Sequence, residues 1–344
     1  MTTSLRPEPD QRRRRKQKER KIREFAKASL IKLVAERLSA THPQLLREDA
    51  RKVDPIRKAH HPASDKRALL ERVLNAAGPQ ALLEIGHGIE QARLDPIWEA
   101  ALRSKSPDVL FDKWMRYERF AHWNNRVRIE WRETNAVEMF RYAEDGVPPT
   151  DAENLLVCGL MIGLLRSIGC QDLQCEMGNG GDGHATVFMA GQIRRDLSIG
   201  DLSTDAWTLH WTGVTPRTQS IERDKLAQLV DRANLNDETT AIAHHLAEDP
   251  TRSWTIDALA EACGLSSRTL QRRLQESDLN FSKLVRLVRI YETCELLEHS
   301  DLPLTAVGFC AGFSDSAHFS RDFSASMGMS PKRYREMVRD PEPN

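Results

Sequence analysis

Thr255-Ile256-Asp257-Ala258-Leu259-Ala260-Glu261-Ala262-Cys263-Gly264 leads into Leu265-Ser266-Ser267-Arg268-Thr269-Leu270-Gln271-Arg272-Arg273-Leu274. Further on, Leu304 to Gly312 leads into Phe313-Ser314-Asp315-Ser316-Ala317-His318-Phe319-Ser320-Arg321-Asp322-Phe323. Both halves follow one plan: a short apolar helix, a Gly at the turn, an apolar residue, a polar cap, then a helix carrying Arg. Two helices that cross closely need a small residue at the crossing, and the turn needs Gly where a side chain would strain the backbone. Ala260 and Gly264 stand four apart, as do Gly308 and Gly312. Leu265, Leu270 and Leu274 seat the second helix of the first half; Phe313, Phe319 and Phe323 seat that of the second. Ser266 is the expected N-cap in one, Ser314 or Asp315 in the other. One such pattern arises readily by chance; a tandem pair 48 residues apart (Gly264 to Gly312) is a far stronger signal.

Between the halves, Phe281 to Glu298 is apolar on most faces, through Leu284, Val285, Leu287, Val288, Ile290, Tyr291, Leu296 and Leu297. A helix of that kind needs packing partners on both sides. At ~1.5 Å per residue it spans roughly 27 Å. With the flanking units it places the two Arg-bearing helices about one turn of B-DNA apart, ~34 Å. One chain then reaches two successive major grooves.

Residues 254–337 resemble the AraC/XylS family of bacterial transcription regulators. The family's hallmark reads here as Ala311-Gly312-Phe313 through Phe323, and its Gly-x-Ser/Thr-Pro-x-x-Tyr-Arg ending as Gly328-Met329-Ser330-Pro331-Lys332-Arg333-Tyr334-Arg335. Ala260, Gly264, Ser266, Leu270 and Arg272 carry the match in the first half, and Arg289, Leu296 and Leu297 in the linker helix; Met327 and Ala317 depart from the pattern. Carried over position by position, the resemblance implies base reading by Ser267, Arg268, Gln271 and Arg272 from one helix. Ser316, Ala317, Ser320 and Arg321 take that role in the other. Arg pairs bidentately with guanine, Gln with adenine, and Ser with several bases. Arg273, Lys283, Lys332, Arg333 and Arg335 are the expected phosphate contacts, which set register without specifying sequence. The implied partners are double-stranded promoter DNA, RNA polymerase and a small-molecule effector, with a homodimer as a further option. The implied function is that of an effector-responsive activator; the alternative is an architectural or repressor-type DNA binder without an effector.

The whole chain of 344 residues is long enough for two cores, and its 50 basic and 50 acidic side chains balance. The balance hides an asymmetry. Residues 1–60 hold 18 Lys+Arg against 8 Asp+Glu; residues 61–237 hold 20 against 26; residues 238–344 hold 12 against 16. A nucleic-acid-binding domain is usually basic, so bulk charge does not carry the C-terminal assignment. Residues 1–60 read as a basic tail and linker. The run Gln11 to Lys21 is too charged to bury a core and suits non-specific phosphate contacts, a helical stripe begins near Phe25, and the Pro pairs of 41–63 mark a loop.

Residues 61–237 read as an α+β domain for effector binding or dimerisation, and 238–344 as the all-α domain just described. The fold class is thus multidomain: an α+β sensor followed by two helix-turn-helix units on a linker helix. In the first domain, helices fall at 64–77, 79–93, 107–121 and 152–168; Val127, Ile129 and Trp131 open a hairpin completed by 137–142. Strands at 171–177 and 184–190 flank the glycine-rich turn Gly178 to Gly183, and Trp207, Leu209 and Trp211 alternate in a last strand. The order of elements resembles the longer α+β sensor of one family subgroup more than a cupin. Trp131, Trp207, Trp211 and His122, with Trp123 and His87, are candidate effector contacts. Alternating Trp is also the pattern of ordinary core packing.

No cofactor, metal site or catalytic residue is expected. The six cysteines lack Cys-x-x-Cys spacing; Cys158 lies in an apolar run, and Cys170 and Cys175 have no neighbouring His to activate a thiol. The longest apolar run, Leu155 to Leu165, is too short to span a bilayer, and the N-terminus lacks a signal-peptide core. A cytoplasmic, reduced, non-enzymatic protein is the expectation.

Overall fold

The computed structural model describes residues 30–31, 33–47, 63–91, 96–121, 125–144, 146–178, 183–200, 202–215 and 235–339. The basic run 11–21, Phe25, residues 48–62, His122, Trp123, the turn 179–182 and the connection 216–234 lie outside them. The described residues fall into two compact units, one of residues up to 91 with 114–215, the other of 96–113 with 235–339. Residues 30–31 and 33–41 are helical (α1), followed by α2 (Pro43–Arg47) and α3 (Ala63–His87). Next come α4 (Pro96–Leu102) and α5 (Pro107–Ala121). The first unit departs from the 61–237 expectation because 96–113 folds with the C-terminal unit. The reason is a buried ion pair: Lys113 is 2% exposed, and its Nζ donates to the Asp249 carboxylate at 2.7 Å and to the Ala100 carbonyl at 2.7 Å. A buried ammonium needs such partners, so the segment goes where the carboxylate is.

In the first unit, Gly78 (φ 78°, ψ 176°) is non-helical and Pro79 follows, so α3 is two helical segments meeting at a kink, as the break expected between 64–77 and 79–93 requires. Helix α6 (Asp151–Ser167) starts at Thr150, whose side chain and that of Glu153 form a reciprocal capping box. It is buried almost all round. Gly86 of α3 and Gly159 of α6 let the two backbones touch: a Cβ at Gly86 would lie 2.6 Å from Leu160 N, and one at Gly159 2.9 Å from Leu83 Cα. The six-stranded antiparallel sheet has the order β1-β2-β7-β4-β5-β6, with β1 (Asn125–Glu133), β2 (Ala136–Ala143), β4 (Gln174–Met177), β5 (Ala185–Met189), β6 (Gln192–Ile193) and β7 (Ala206–His210). A separate two-residue pair, β3 (Cys170–Gln171) with β8 (Gly213–Val214), is too short to leave a periodic signal. Cys175 Sγ on β4 meets Cys158 Sγ on α6 at 3.6 Å, which sets this sheet face against the helix. Arg141 and Glu118, both about 1% exposed, form a second buried pair at 2.8 Å.

In the second unit, α7 (Asp237–Glu248) precedes the first helix-turn-helix, α8 (Ile256–Ala262) and α9 (Ser267–Gln275). The linker helix α10 (Phe281–His299) follows, then the second helix-turn-helix, α11 (Leu304–Cys310) and α12 (Ser316–Met327), and finally α13 (Pro331–Arg339). Leu259, Ala260, Leu270, Leu274, Leu284 and Val288 share one core with α7. Phe313, Phe319, Phe323 and Tyr334 pack ring against ring in the other half, at 5.3, 6.2 and 5.6 Å between successive centroids. The linker helix is less enclosed than expected, since Ser282, Lys283 and Arg286 are exposed on its first turns. Among the described residues no helix is long and apolar enough to cross a membrane.

Both turns close in the same way. Leu265 N–H donates to Ala260 O at 2.8 Å and Gly264 N–H to Glu261 O at 3.0 Å; Phe313 N–H donates to Gly308 O at 2.9 Å and Gly312 N–H to Phe309 O at 2.8 Å. This is the double closure of a Schellman cap, with Gly in the left-handed region at φ 65° and 89°. The two glycines differ in their surroundings. A Cβ at Gly264 meets open space, whereas one at Gly312 would overlap the Pro250 carbonyl oxygen. Gly264→Ala should therefore cost about 1 kcal/mol from backbone strain alone, and Gly312→Ala at least ~3 kcal/mol because the Pro250 segment must move as well. Urea unfolding midpoints of the two variants, read against the parent, check the order.

Candidate nucleic-acid interface

The exposed faces of α9 and α12 are set by their caps and their apolar seats. Ser266 caps α9, accepting from Thr269 N–H at 3.1 Å, while Leu270 and Leu274 face inward. That geometry leaves Arg268, Gln271 and Arg272 exposed and Ser267 half-buried. Asp315, not Ser314, caps α12: one carboxylate oxygen accepts from Ala317 N–H at 2.9 Å and His318 N–H at 2.8 Å. With Phe319 and Phe323 buried, Ala317 and Arg321 are exposed and Ser316 and Ser320 half-buried. The eight residues expected to read bases thus fall in two sets of four, one on each helix-turn-helix.

Several of these side chains already have intramolecular partners. Ser267 Oγ donates to the carboxylate of Asp257, at the start of α8, and Ser320 Oγ donates to Ser316 O at 2.9 Å. Arg272 lies 3.9 Å from Glu276, an exposed pair that contributes little. Arg321 Nε reaches Ala317 O at 3.4 Å. The neighbouring Asp322 is engaged elsewhere, by Arg286 of the linker helix at 3.4 Å and by His318 at 3.1 Å. Sequence reasoning missed Asp257 and Arg286, because their partners are ten and thirty-six positions away and nothing in the local pattern marks the pairing.

The five expected phosphate contacts do not stand alike. Lys283, Lys332 and Arg333 are exposed, with Lys332 3.5 Å from Glu336. Arg273 is half-buried and 3.4 Å from Glu238 of α7. Arg335 is spent on the fold: its guanidinium donates to Leu302 O at 2.6 Å, and burial pulls its pKa below the ordinary arginine value. Among the candidate effector contacts, Trp207 is fully buried in the sheet core, and Trp211 packs edge-on against the half-exposed Trp131 at 5.9 Å. His87 packs against Phe188. Trp207 and Trp211 are thus buried in packing, whereas Trp131 is 47% exposed. No disulfide joins the six cysteines, and burial pushes the Cys170 thiol up to about 12 and Cys175 well above its usual value.

Residues 259–337 match the family described as the helix-turn-helix domain. The HTH-type transcriptional activator RhaS of Escherichia fergusonii is 37% identical over 105 residues, 30% of this chain and 36% of that protein. The HTH-type transcriptional activator CsvR of Escherichia coli is 23% identical over 111 residues, 32% of this chain and 42% of that protein. A crystal structure of a transcriptional regulator from Chromobacterium violaceum, described as containing an AraC-type DNA-binding domain, aligns over 35% of this chain and 96% of that one, at 22% identity and a TM-score of 0.27. The chain spans 36% and 42% of the length of these two curated relatives.

The Asp315 cap carries a pH signature. Its carboxyl is held below the usual carboxylate range, foremost by the His318 N–H and then by that of Ala317. A depressed folded-state pKa stabilises above the unfolded value and is lost as pH falls through the folded one. Asp315→Ala should therefore lower stability by about 1 kcal/mol at pH 7, with the gap to the parent closing below about pH 4. Chemical denaturation at a series of pH values tests this; a gap independent of pH would mean that the charge plays no part.

Proposed function

Taking residues 259–337 as an AraC-type helix-turn-helix domain, we propose that the chain is a sequence-specific, DNA-binding transcription regulator that activates promoters in response to a small effector. The single observation that supports it best is the matched pair of exposed Arg-bearing helices, α9 and α12, each set by the same turn closure and a side-chain cap. Arg268, Arg272 and Arg321 are the principal base readers, pairing through guanidinium forks with guanine O6 and N7. Gln271 reads adenine, and Ser267, Ser316, Ala317 and Ser320 complete the two surfaces. Lys283, Lys332 and Arg333 hold the phosphates, with Arg273 released from Glu238 on binding; Arg335 is withdrawn from that set. Residues 254–339 hold 11 basic and 11 acidic side chains, so specific affinity rests on these few placed cations and not on bulk charge. The first unit supplies the effector site, and coupling arises where the effector favours one of two states. RNA polymerase is the partner of the activating state.

Arg272→Ala and Arg321→Ala should each weaken binding to a selected DNA site by about 1–3 kcal/mol while relaxing preference at one base pair. Titration of specific and random duplexes at fixed salt decides it. Equal loss on both duplexes would remove that arginine from the base-reading set.

A further inference from the structure

A serine hydroxyl is ambiguous as a base reader: it can donate its one proton to a keto oxygen or accept from an amino group. In this molecule the ambiguity is resolved. Ser267 Oγ is hydrogen-bonded to the Asp257 carboxylate, and Ser320 Oγ to the backbone carbonyl of Ser316 at 2.9 Å. The carboxylate and the carbonyl are the acceptors, so in both pairs serine is the donor. Each hydroxyl therefore has its only proton committed inside the protein and keeps only acceptor capacity for a further partner.

We infer that Ser267 and Ser320 are acceptor-only readers, and that Asp257 is the positioning residue that fixes this polarity at Ser267. The inference rests on the base-reading role proposed above and narrows it to a class of base. In the major groove, hydrogen-bond donors come from the exocyclic amino groups of adenine (N6) and cytosine (N4); guanine O6 and N7 and thymine O4 are acceptors. Ser267 and Ser320 thus select adenine or cytosine and reject guanine or thymine. A bond to a charged acceptor is stronger than one between neutral groups, so Ser267 keeps its bond to Asp257 when DNA arrives. The Asp257 charge, exposed beside Ser267, also repels a keto oxygen brought to the same place. The arginines complement this: Arg268, Arg272 and Arg321 offer only donors and take guanine. The interface is a fixed pattern of donors and acceptors, with the serines and the arginines reading groups of opposite polarity on the major-groove edge.

The test is selection of binding sites from a randomised duplex pool by the full-length protein, run in parallel for Ser267→Ala, Ser267→Thr, Asp257→Ala, the Ser267→Ala/Asp257→Ala pair and Arg272→Ala. The parent should show one position favouring adenine or cytosine by about five- to tenfold that flattens in Ser267→Ala and persists in Ser267→Thr. Asp257→Ala should flatten the same position, because the freed proton lets the hydroxyl accept or donate, and the double variant should match Ser267→Ala. A merely structural role for Asp257 would weaken all positions together. The inference is overturned if the Ser267-dependent position favours guanine or thymine, or if Asp257→Ala leaves it unchanged. A changed position in Arg272→Ala alone overturns the inference and leaves the proposed function standing. A pool with no enriched sequence overturns both.

Discussion

The C-terminal unit hangs on the buried pair of Lys113 and Asp249. Asp249 is a hub: its carboxylate accepts from Lys113 and from Thr251 Oγ1, and its carbonyl accepts from the Trp254 indole at 2.9 Å. The next residue, Pro250, places its carbonyl against Gly312, at the turn of the second helix-turn-helix, while Trp254 lies just before the cap of the first. One ion pair thus anchors the short segment that touches the turn of one helix-turn-helix and leads into the other. Removing one partner of a buried pair typically costs about 3–5 kcal/mol, because the other is left charged and unsolvated. That is a large share of a domain's stability.

Around that hub the two halves use a common plan with different fillings. The first seats its second helix on leucines and a small Ala260; the other seats it on stacked phenylalanines, and Gly308 lies so near the Phe319 ring that an added Cβ would stand 2.9 Å away. The turn closures are the same, but the caps are not: a neutral Ser266 on α9 and a charged Asp315 on α12. Asp315 already fills the N–H groups at the start of α12, where a phosphate would otherwise be received.

Much of this was legible in the sequence. Gly264 and Gly312 reported a left-handed turn, the leucines and phenylalanines gave the buried stripes, and Thr150 to Ser167 declared a capped, buried helix. The strands at Val127 and Trp207 followed from alternation, and the strand at Cys175 from the glycine-rich stretch it precedes. What stayed hidden has a common cause, in that pairing over long separations leaves no local trace. Lys113 reads as a surface residue on an amphipathic helix, and only Asp249, 136 positions on, makes it a core residue. Arg335 fitted a phosphate contact by charge, yet its guanidinium completes the backbone of Leu302. Trp207 suggested a pocket and the sheet core buries it, while Trp131 on β1 is left exposed.

The placement of residues 96–113 in the second unit has a further consequence for how the protein is made. The C-terminal unit is discontinuous in sequence, with its first piece preceding most of the first unit's sheet. On the ribosome that piece emerges early, and its lysine waits for a carboxylate synthesised more than a hundred residues later. The first unit's strands are translated inside this interval. Completion of the C-terminal core is thereby tied to translation through Asp249, and a protein cut short within the first unit carries an ammonium without its carboxylate in place of a finished core.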